Sequence, residues 1–509
     1  MYSFIFGIAA LILGYFLYGK IAERIFVIRP EAETPAVRRN DGVDFVPMSA
    51  WKATLIQLLN IAGTGPVFGA IAGALFGPAA FVWIVFGCIF AGAVHDYILG
   101  MLSMRNDGAN IAEIVGKYLG RKPLIVVRVF SLVLLVFVGA VFVTTPAQVL
   151  QTMFAPLPEG ERIALFDGHM TNTEIFYLFC IASIISYYIL ATLLPIDKVI
   201  GRIYPVFGAC LLTMAAGLTV MMFATGEITK IPEFSFVNLR PDQGSNIAAH
   251  LFPFLFITIA CGAVSGFHAT QSPLMARCLK TEKEGRMVFY GAMILEGIVA
   301  MIWAAVTMAH FDVAGKVASV SAPVIVAQSC TEYMGWLGGI LAVFGVVACP
   351  VTSGDTAFRS ARLSIADAMK FDQKPLRNRL AVALPLFAVG VILVLFSLVS
   401  IANFNIIWRY FAWANQTLAA VGLWAASAYL AKAGRNYWLT LLPAVWMTAV
   451  TATYFFTAGE CLGSFVEKTA GRFTYTAGLA LGLLFTAVLF AMFMHSAGIR
   501  QKNPAEREK

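Results

Sequence analysis

Charge is scarce in this chain. Only 13% of its 509 residues are Asp, Glu, Lys or Arg, where a soluble globular protein carries roughly a quarter. One or two soluble domains of this length would need a polar shell that this composition cannot supply, which excludes an ordinary soluble enzyme. Cysteine is sparse too. The eight Cys include no CxxC pair and most fall inside apolar runs, which excludes a disulfide scaffold. No Walker A loop, HExxH helix or GxSxG elbow is present, so ATP-driven transport and hydrolysis have no motif behind them.

What the chain has instead is apolar length. Hydrophobic residues make up 59% and the mean hydropathy is +0.79, the mark of an all-α polytopic membrane protein. Thirteen apolar runs near 20 residues long predict spans at 1–19, 54–77, 79–103, 123–153, 173–195, 199–225, 247–274, 287–310, 333–356, 380–403, 404–430, 436–457 and 474–497. Continuous runs indicate helices, since barrel strands alternate over about ten residues. The first run has no basic residue ahead of it, its first positive charge being Lys20, so it reads as a span and not as a cleaved signal peptide.

The basic residues set the orientation. With the N-terminus outside, 28 of the 36 Lys and Arg fall on cytoplasmic connections and the tail. Six fall outside: Arg162, Lys230, Arg240, Lys316, Lys468 and Arg472. That bias predicts N-out, C-in, with an odd number of spans. The net charge of +8 then reflects topology and anionic inner-leaflet lipid, and gives no indication of nucleic acid. The expected partner is the bilayer itself; oligomeric state is left open. Cys330 and Cys461 fall on external connections, where a disulfide between them is one arrangement.

Three carboxylates break the membrane rule: Asp96, Glu296 and Asp355. An ionised carboxylate at membrane depth is costly and faces a cavity, pairs or titrates. Glu296, in the middle of GAMILEGIVAM, reads as a proton-carrying or gating group, or equally as a structural carboxylate bonded to a neighbouring helix. Asp96, beside His95 and nearer the cytoplasmic end of its span, suits a gate or a structural role. Asp355 keeps company with Thr352, Ser353 and Thr356, whose oxygens suit a hard monovalent cation such as Na⁺, or a protonatable carboxylate in its place.

Two spans are interrupted. The second reads LLNIAGTGPVFGAIAGALFG, placing Gly63, Thr64, Gly65 and Pro66 mid-membrane; the seventh reads FPFLFITIACGAVSGFHATQS, with Gly262, Ser265 and Gly266 near its centre. Glycine costs about 1 kcal/mol and proline about 3 kcal/mol in a helix interior, so both runs invite unwinding, although glycine also serves close helix packing. The interruptions lie five spans apart. An odd repeat places them in opposite directions, as the inverted five-plus-five core of LeuT-like transporters requires. The expected organisation is a leading helix and basic segment (1–53), a first five-helix repeat (54–225), an external connection (226–246), a second repeat (247–430), and two trailing helices with a tail (431–509).

The same residues carry a family resemblance. TPAVRRNDGVDFVP (34–47), IAGTGPVFG (61–69) and FAGAVHDY (90–97) are similar to the amino-terminal pattern of the CstA carbon-starvation proteins, and FPFLFITIACGAVSGFHA (252–269) to their central signature. ILEG around Glu296, DTAFRSAR (355–362) and WANQTLA (413–419) continue it. The chain resembles the short form of that family, with brief connections. His95 departs from the glutamine of the long members, and Arg409 stands where some members are uncharged. The resemblance implies a bacterial inner-membrane permease of the amino-acid/polyamine/organocation superfamily, associated with peptide or pyruvate uptake when preferred carbon runs out. Its implied positions are Gly63, Thr64, Gly65, Cys261, Gly262, Ser265, His268, Asn415 and Gln416 for substrate, and Asp96, Glu296 and Asp355 for coupling or gating.

The expected function is secondary active import of a small carboxylate nutrient, a short peptide, pyruvate or an amino acid, by H⁺ or Na⁺ symport and without a cofactor. Half-helix N-termini favour anions and would hold the carboxylate. A passive channel and a membrane nutrient sensor are the alternatives. His268, just past the second interruption, reads as a proton acceptor or a carboxylate partner, or as a packing residue. Arg409 reads as a vestibule charge steering anions, or as a side chain reaching the headgroups.

Overall fold

The computed structural model of the chain describes residues 1–42, 45–155, 171–193, 196–240, 247–311, 313, 320–373 and 375–502. Arg162, Lys316, Lys374, Arg507 and Lys509 of the charge count lie outside the described residues, as does part of the 226–246 connection. Among the described residues every regular element is a helix.

A leading pair, α1 (Tyr2–Phe16) and α2 (Tyr18–Phe26), precedes α3 (Ala50–Ala62). After the Gly63–Thr64 break, α4 (Gly65–Phe76) continues at 57° to α3. Then follow α5 (Ala79–Arg105), α6 (Ile111–Leu119), α7 (Arg121–Phe154), α8 (Asn172–Leu193) and α9 (Ile196–Ala224). The second half opens with α10 (Leu251–Thr258) and α11 (Gly266–Ala276), separated by a non-helical stretch. It continues with α12 (Glu282–His310), α13 (Ala322–Leu341), α14 (Ala348–Met369), α15 (Leu376–Val399) and α16 (Ile401–Lys432). α17 (Trp438–Thr457), α18 (Gly463–Ala470) and α19 (Thr474–Lys502) complete the chain.

Ten helices among the described residues are long and apolar enough to cross a membrane, and the bent pair α3–α4 makes eleven. Two of the thirteen predicted spans fall short for visible reasons. The 247–274 run is split into α10 and α11, each too short alone, and α16 carries Arg409, Asn415 and Gln416 within its length. Beyond the predicted spans, α6 is an amphipathic helix started by a capping box, Asn110 accepting from the Glu113 N–H and Glu113 from the Asn110 N–H. The ninth predicted span also begins earlier than 333. α13 runs from Ala322, and Gly335, at φ +58°, turns the chain before it continues into α14, a conformation that glycine adopts at little cost.

Cys330 is therefore within a helix and buried, and all eight cysteines are free, so the Cys330–Cys461 pairing does not form.

Burial sorts the helices. In α12 and α5, 89% and 83% of the most apolar stretch is buried, against 28% in α15 and 17% in α19. The first two are the central helices and the last two present most of their surface to lipid.

Contacts between connections gather at two ends. At one, Thr34 donates to the Leu279 carbonyl (2.6 Å), the Met48 N–H to Cys278 (3.0 Å) and Arg277 to Gly108 (2.9 Å). There too Arg105 grips Glu282 through Nε (2.8 Å) and Nη2 (2.7 Å), reaches the Tyr429 hydroxyl (2.9 Å), and lies over the Phe26 ring. At the other end, Glu233 accepts the N–H groups of Tyr2 and Ser3, both at 2.9 Å. His310 there bridges Glu227 (2.9 Å) and Glu332 (2.7 Å), while Arg409 reaches Glu460 (3.5 Å). The connections in these two groups are those that the charge count separates.

Candidate functional site

The two breaks face each other at the centre of the bundle. Gly65 packs directly on the Cβ and Sγ of Cys261, so a side chain at 65 would occupy the space of the cysteine. Gly262 lies against Pro66 and Ala300, and Gly63 against the Phe142 ring. Gly63, Thr64, Gly65, Cys261, Gly262, Ser265 and His268 are all buried.

Unwound backbone in a membrane needs partners for its freed groups. The side chains that supply them include two that the sequence assigns to substrate. Asn415 accepts the Phe267 N–H (2.6 Å) and the Ser265 hydroxyl (3.1 Å) at the start of α11, and donates to the Cys261 sulfur (3.3 Å). It acts as the cap of that half-helix from another element. Gln416 donates to the Phe256 carbonyl (3.2 Å), and Trp83 to that of Ile259 (3.0 Å). The N-terminus of α11 is thus already bonded to protein, and Ser265 and Asn415 are bonded to one another.

Three of the sequence's ionisable candidates form a single chain with a fourth residue. His95 Nδ1 lies 2.8 Å from Asp96 Oδ1, and His268 Nδ1 lies 2.7 Å from Asp96 Oδ2. His268 Nε2 lies 3.3 Å from Glu296 Oε2, within ion-pair distance but without hydrogen-bond alignment. All four side chains are wholly buried. The chain joins α5, α11 and α12, and it alternates imidazole with carboxylate. An unpaired charge at this depth would be prohibitive, whereas paired groups can share or pass a proton. His95 enters the sequence reading beside Asp96 and as a departure from a pattern, without a role; its position next to an intramembrane aspartate was the available signal.

Asp355 stands apart from this chain. Its Oδ2 accepts from the Tyr204 hydroxyl (3.4 Å) and lies 3.9 Å from Arg359 on the next turn of α14. Tyr204 is also within 3.4 Å of the Tyr187 hydroxyl and of the Thr352 carbonyl. The hydroxyls of α14 bond carbonyls: Thr352 to Cys349 (2.9 Å), Thr356 to Ser353 (2.9 Å), and Ser353 to Leu59 (2.8 Å). Leu59 lies in the last turn of α3, where the break frees its carbonyl from the helix ladder. Arg409 is half-exposed, beside Glu460.

The chain as a whole is similar to known proteins. The family model described as Carbon starvation protein CstA matches residues 1–196, 164–337 and 319–454. An uncharacterized membrane protein of Haemophilus influenzae is 48% identical over 341 residues, covering 61% of this chain and 92% of its own. The Campylobacter jejuni peptide transporter CstA is 26% identical over 569 aligned positions, 89% of this chain and 79% of its own. The Escherichia coli pyruvate/proton symporter BtsT is 27% identical over 331, 57% of this chain and 46% of its own, so the match spans under half of that relative. Among solved structures, MhsT in complex with L-phenylalanine superposes over 89% of this chain and 99% of its own, with a TM-score of 0.55 at 13% identity. That likeness shows a LeuT-type fold. With family matches extending from residue 1 to residue 454, this multi-pass membrane protein belongs to the carbon starvation protein CstA family.

Proposed function

We propose that this protein is a secondary active importer of a small carboxylate nutrient, a short peptide, an amino acid or pyruvate, driven by protons. The observation that carries the coupling is the buried His95–Asp96–His268–Glu296 chain. It crosses from α5 through α11 to α12, so a proton moving along it changes the attraction between a half-helix beside the break and the helices around it. The relatives named peptide transporter and pyruvate/proton symporter support both the class of cargo and the choice of ion. Rocking of one five-helix repeat against the other would expose the paired breaks to each side in turn. The reading places the chain in the bacterial inner membrane with its N-terminus outside, consistent with the basic connections meeting at one end.

Purified protein in proteoliposomes, given separate proton and sodium gradients, tests this. Accumulation of peptide, amino acid or pyruvate under the proton gradient supports it; accumulation under neither gradient contradicts it. One observation favours sodium instead: the Ser353 hydroxyl rests on the freed Leu59 carbonyl, and Thr352 and Thr356 lie on the same helix. Uptake that requires Na⁺ and is lost in Ser353→Ala would move the coupling site there.

A further inference from the structure

The first broken helix of the core carries two buried carboxamides with no hydrogen-bond partner among the described residues. Gln57 and Asn60 stand at i and i+3 of α3, on the approach to the Gly63–Thr64 break, and are 0% and 1% exposed. Neither the nitrogen nor the oxygen of either amide has a hydrogen-bond partner among the described residues, and the buried Thr64 hydroxyl at the break has none either. The other buried carboxamides each have at least one bond. Gln151 donates to Ala155, Gln271 to Thr270 and Gln416 to Phe256, the last two with an unpartnered oxygen, and Asn415 uses both ends. Buried polar groups are retained unbonded only at a cost comparable to a lost hydrogen bond. Four such atoms on one helix face therefore point to a ligand that bonds them.

The chemistry of the amides narrows that ligand. Each offers two N–H donors and one carbonyl acceptor. An ionised 2-oxo acid brings acceptors only, so it would satisfy the two nitrogens and leave both amide oxygens bare. An amino acid or a short peptide brings N–H donors and carboxylate or carbonyl acceptors together. We infer that Gln57 and Asn60 are specificity-determining residues of the transport site, pairing with the N–H and C=O groups of an amino acid or short peptide and discriminating against 2-oxo acids. This rests on the importer reading above.

The test uses the full-length protein in proteoliposomes under a proton gradient, with alanine, dialanine and pyruvate as probes. In the Gln57→Leu and Asn60→Leu variants, side chains of similar size remove both polar ends. Wild type is expected to take up alanine or dialanine at least about tenfold faster than pyruvate, since a site built to bond N–H groups rejects an analogue lacking them. Each variant is expected to lose about tenfold of that uptake and distinctly less of pyruvate entry, so that the preference over pyruvate shrinks. Melting gives a second readout. Replacing a partnerless amide by an apolar side chain should leave the substrate-free melting temperature equal or higher, while abolishing the upward shift that dialanine gives wild type. A wild-type preference for pyruvate, an equal loss for all probes, or a lower melting temperature without substrate overturns the inference and leaves the importer reading standing. Entry of none of the three probes into wild-type vesicles overturns the importer reading itself.

Discussion

His268 Nδ1 lies 2.7 Å from Asp96 Oδ2, although the two residues are 172 positions apart in the chain and neither side chain is exposed. The contact ties the helix after the second break to α5, one of the two most buried of the span-length helices. It makes Asp96 the hub of the polar chain, with one oxygen for His95 and the other for His268.

Removing the hub should be structural as well as functional. Asp96→Asn leaves two imidazoles facing an uncharged amide, and breaking a buried pair from one side costs about 3–5 kcal/mol. We expect a lowered melting temperature in detergent together with lost uptake. His268→Gln, which keeps a donor toward Asp96, should melt closer to wild type. Unchanged melting in Asp96→Asn would show that the pair is not holding the helices together.

Glu296→Gln separates coupling from binding. A carboxamide neither takes up nor releases a proton, so accumulation against a gradient should fall at least about tenfold, while exchange of labelled for unlabelled substrate stays within about threefold. The pH dependence of uptake should flatten at the same time. Loss of both exchange and accumulation would assign Glu296 to substrate binding or to the fold.

The cap on α11 predicts a graded effect. Asn415→Ala removes the acceptor for the Phe267 N–H and the Ser265 hydroxyl and should cost about 0.5–2 kcal/mol. Asn415→Asp, which keeps the acceptor oxygens, should recover part of the melting temperature. Equal destabilisation by both would mean that the Asn415 amide donating to the Cys261 sulfur is the bond that matters.

The close approach of the breaks can be tested by exchange. Gly65→Ala pushes a methyl into Cys261 and should cost about 1–3 kcal/mol through overpacking. Adding Cys261→Gly makes room and should restore most of the melting temperature and uptake. A double variant no better than Gly65→Ala would place the requirement for glycine in the backbone and not in this contact.

The cluster around Glu227 makes a prediction about pH. Partial burial alone would raise this carboxyl, but hydrogen bonds from Tyr333, Lys230 and His310 outweigh it and hold the group at about 2. Because the folded value lies below the ordinary 4.5, the contribution is complete above about pH 4.5 and disappears as pH falls through about 2. The melting difference between wild type and Glu227→Gln should therefore be constant near neutrality and shrink toward pH 2. A difference that grows on acidification would contradict the assignment.

Much of this architecture was legible because the bilayer imposes simple rules. Apolar length marked the helices, and the Gly63–Pro66 and Gly262–Gly266 clusters marked both breaks. Proximity across the chain was not legible. Nothing in local pattern says that His268 meets Asp96, that Asn415 caps α11, or that Asp355 meets Tyr204, although its pairing with Arg359 four residues on is a local relation. Those relations depend on which faces of the helices meet, and an apolar run looks the same on every side. The first part of the helix Ala322–Leu341 lay ahead of the predicted 333–356 span for a related reason: Gly335 bends the chain, so one helical stretch holds two directions.

The most direct measurement is substrate-driven proton movement. Vesicles containing the protein and a trapped pH indicator, in Na⁺-free buffer, are given alanine, dialanine or pyruvate with no imposed gradient. The account predicts that a transported substrate acidifies the vesicle lumen with wild type and leaves it unchanged with Glu296→Gln. Substrate entry with no pH change in wild type, or the same acidification in Glu296→Gln, would contradict it.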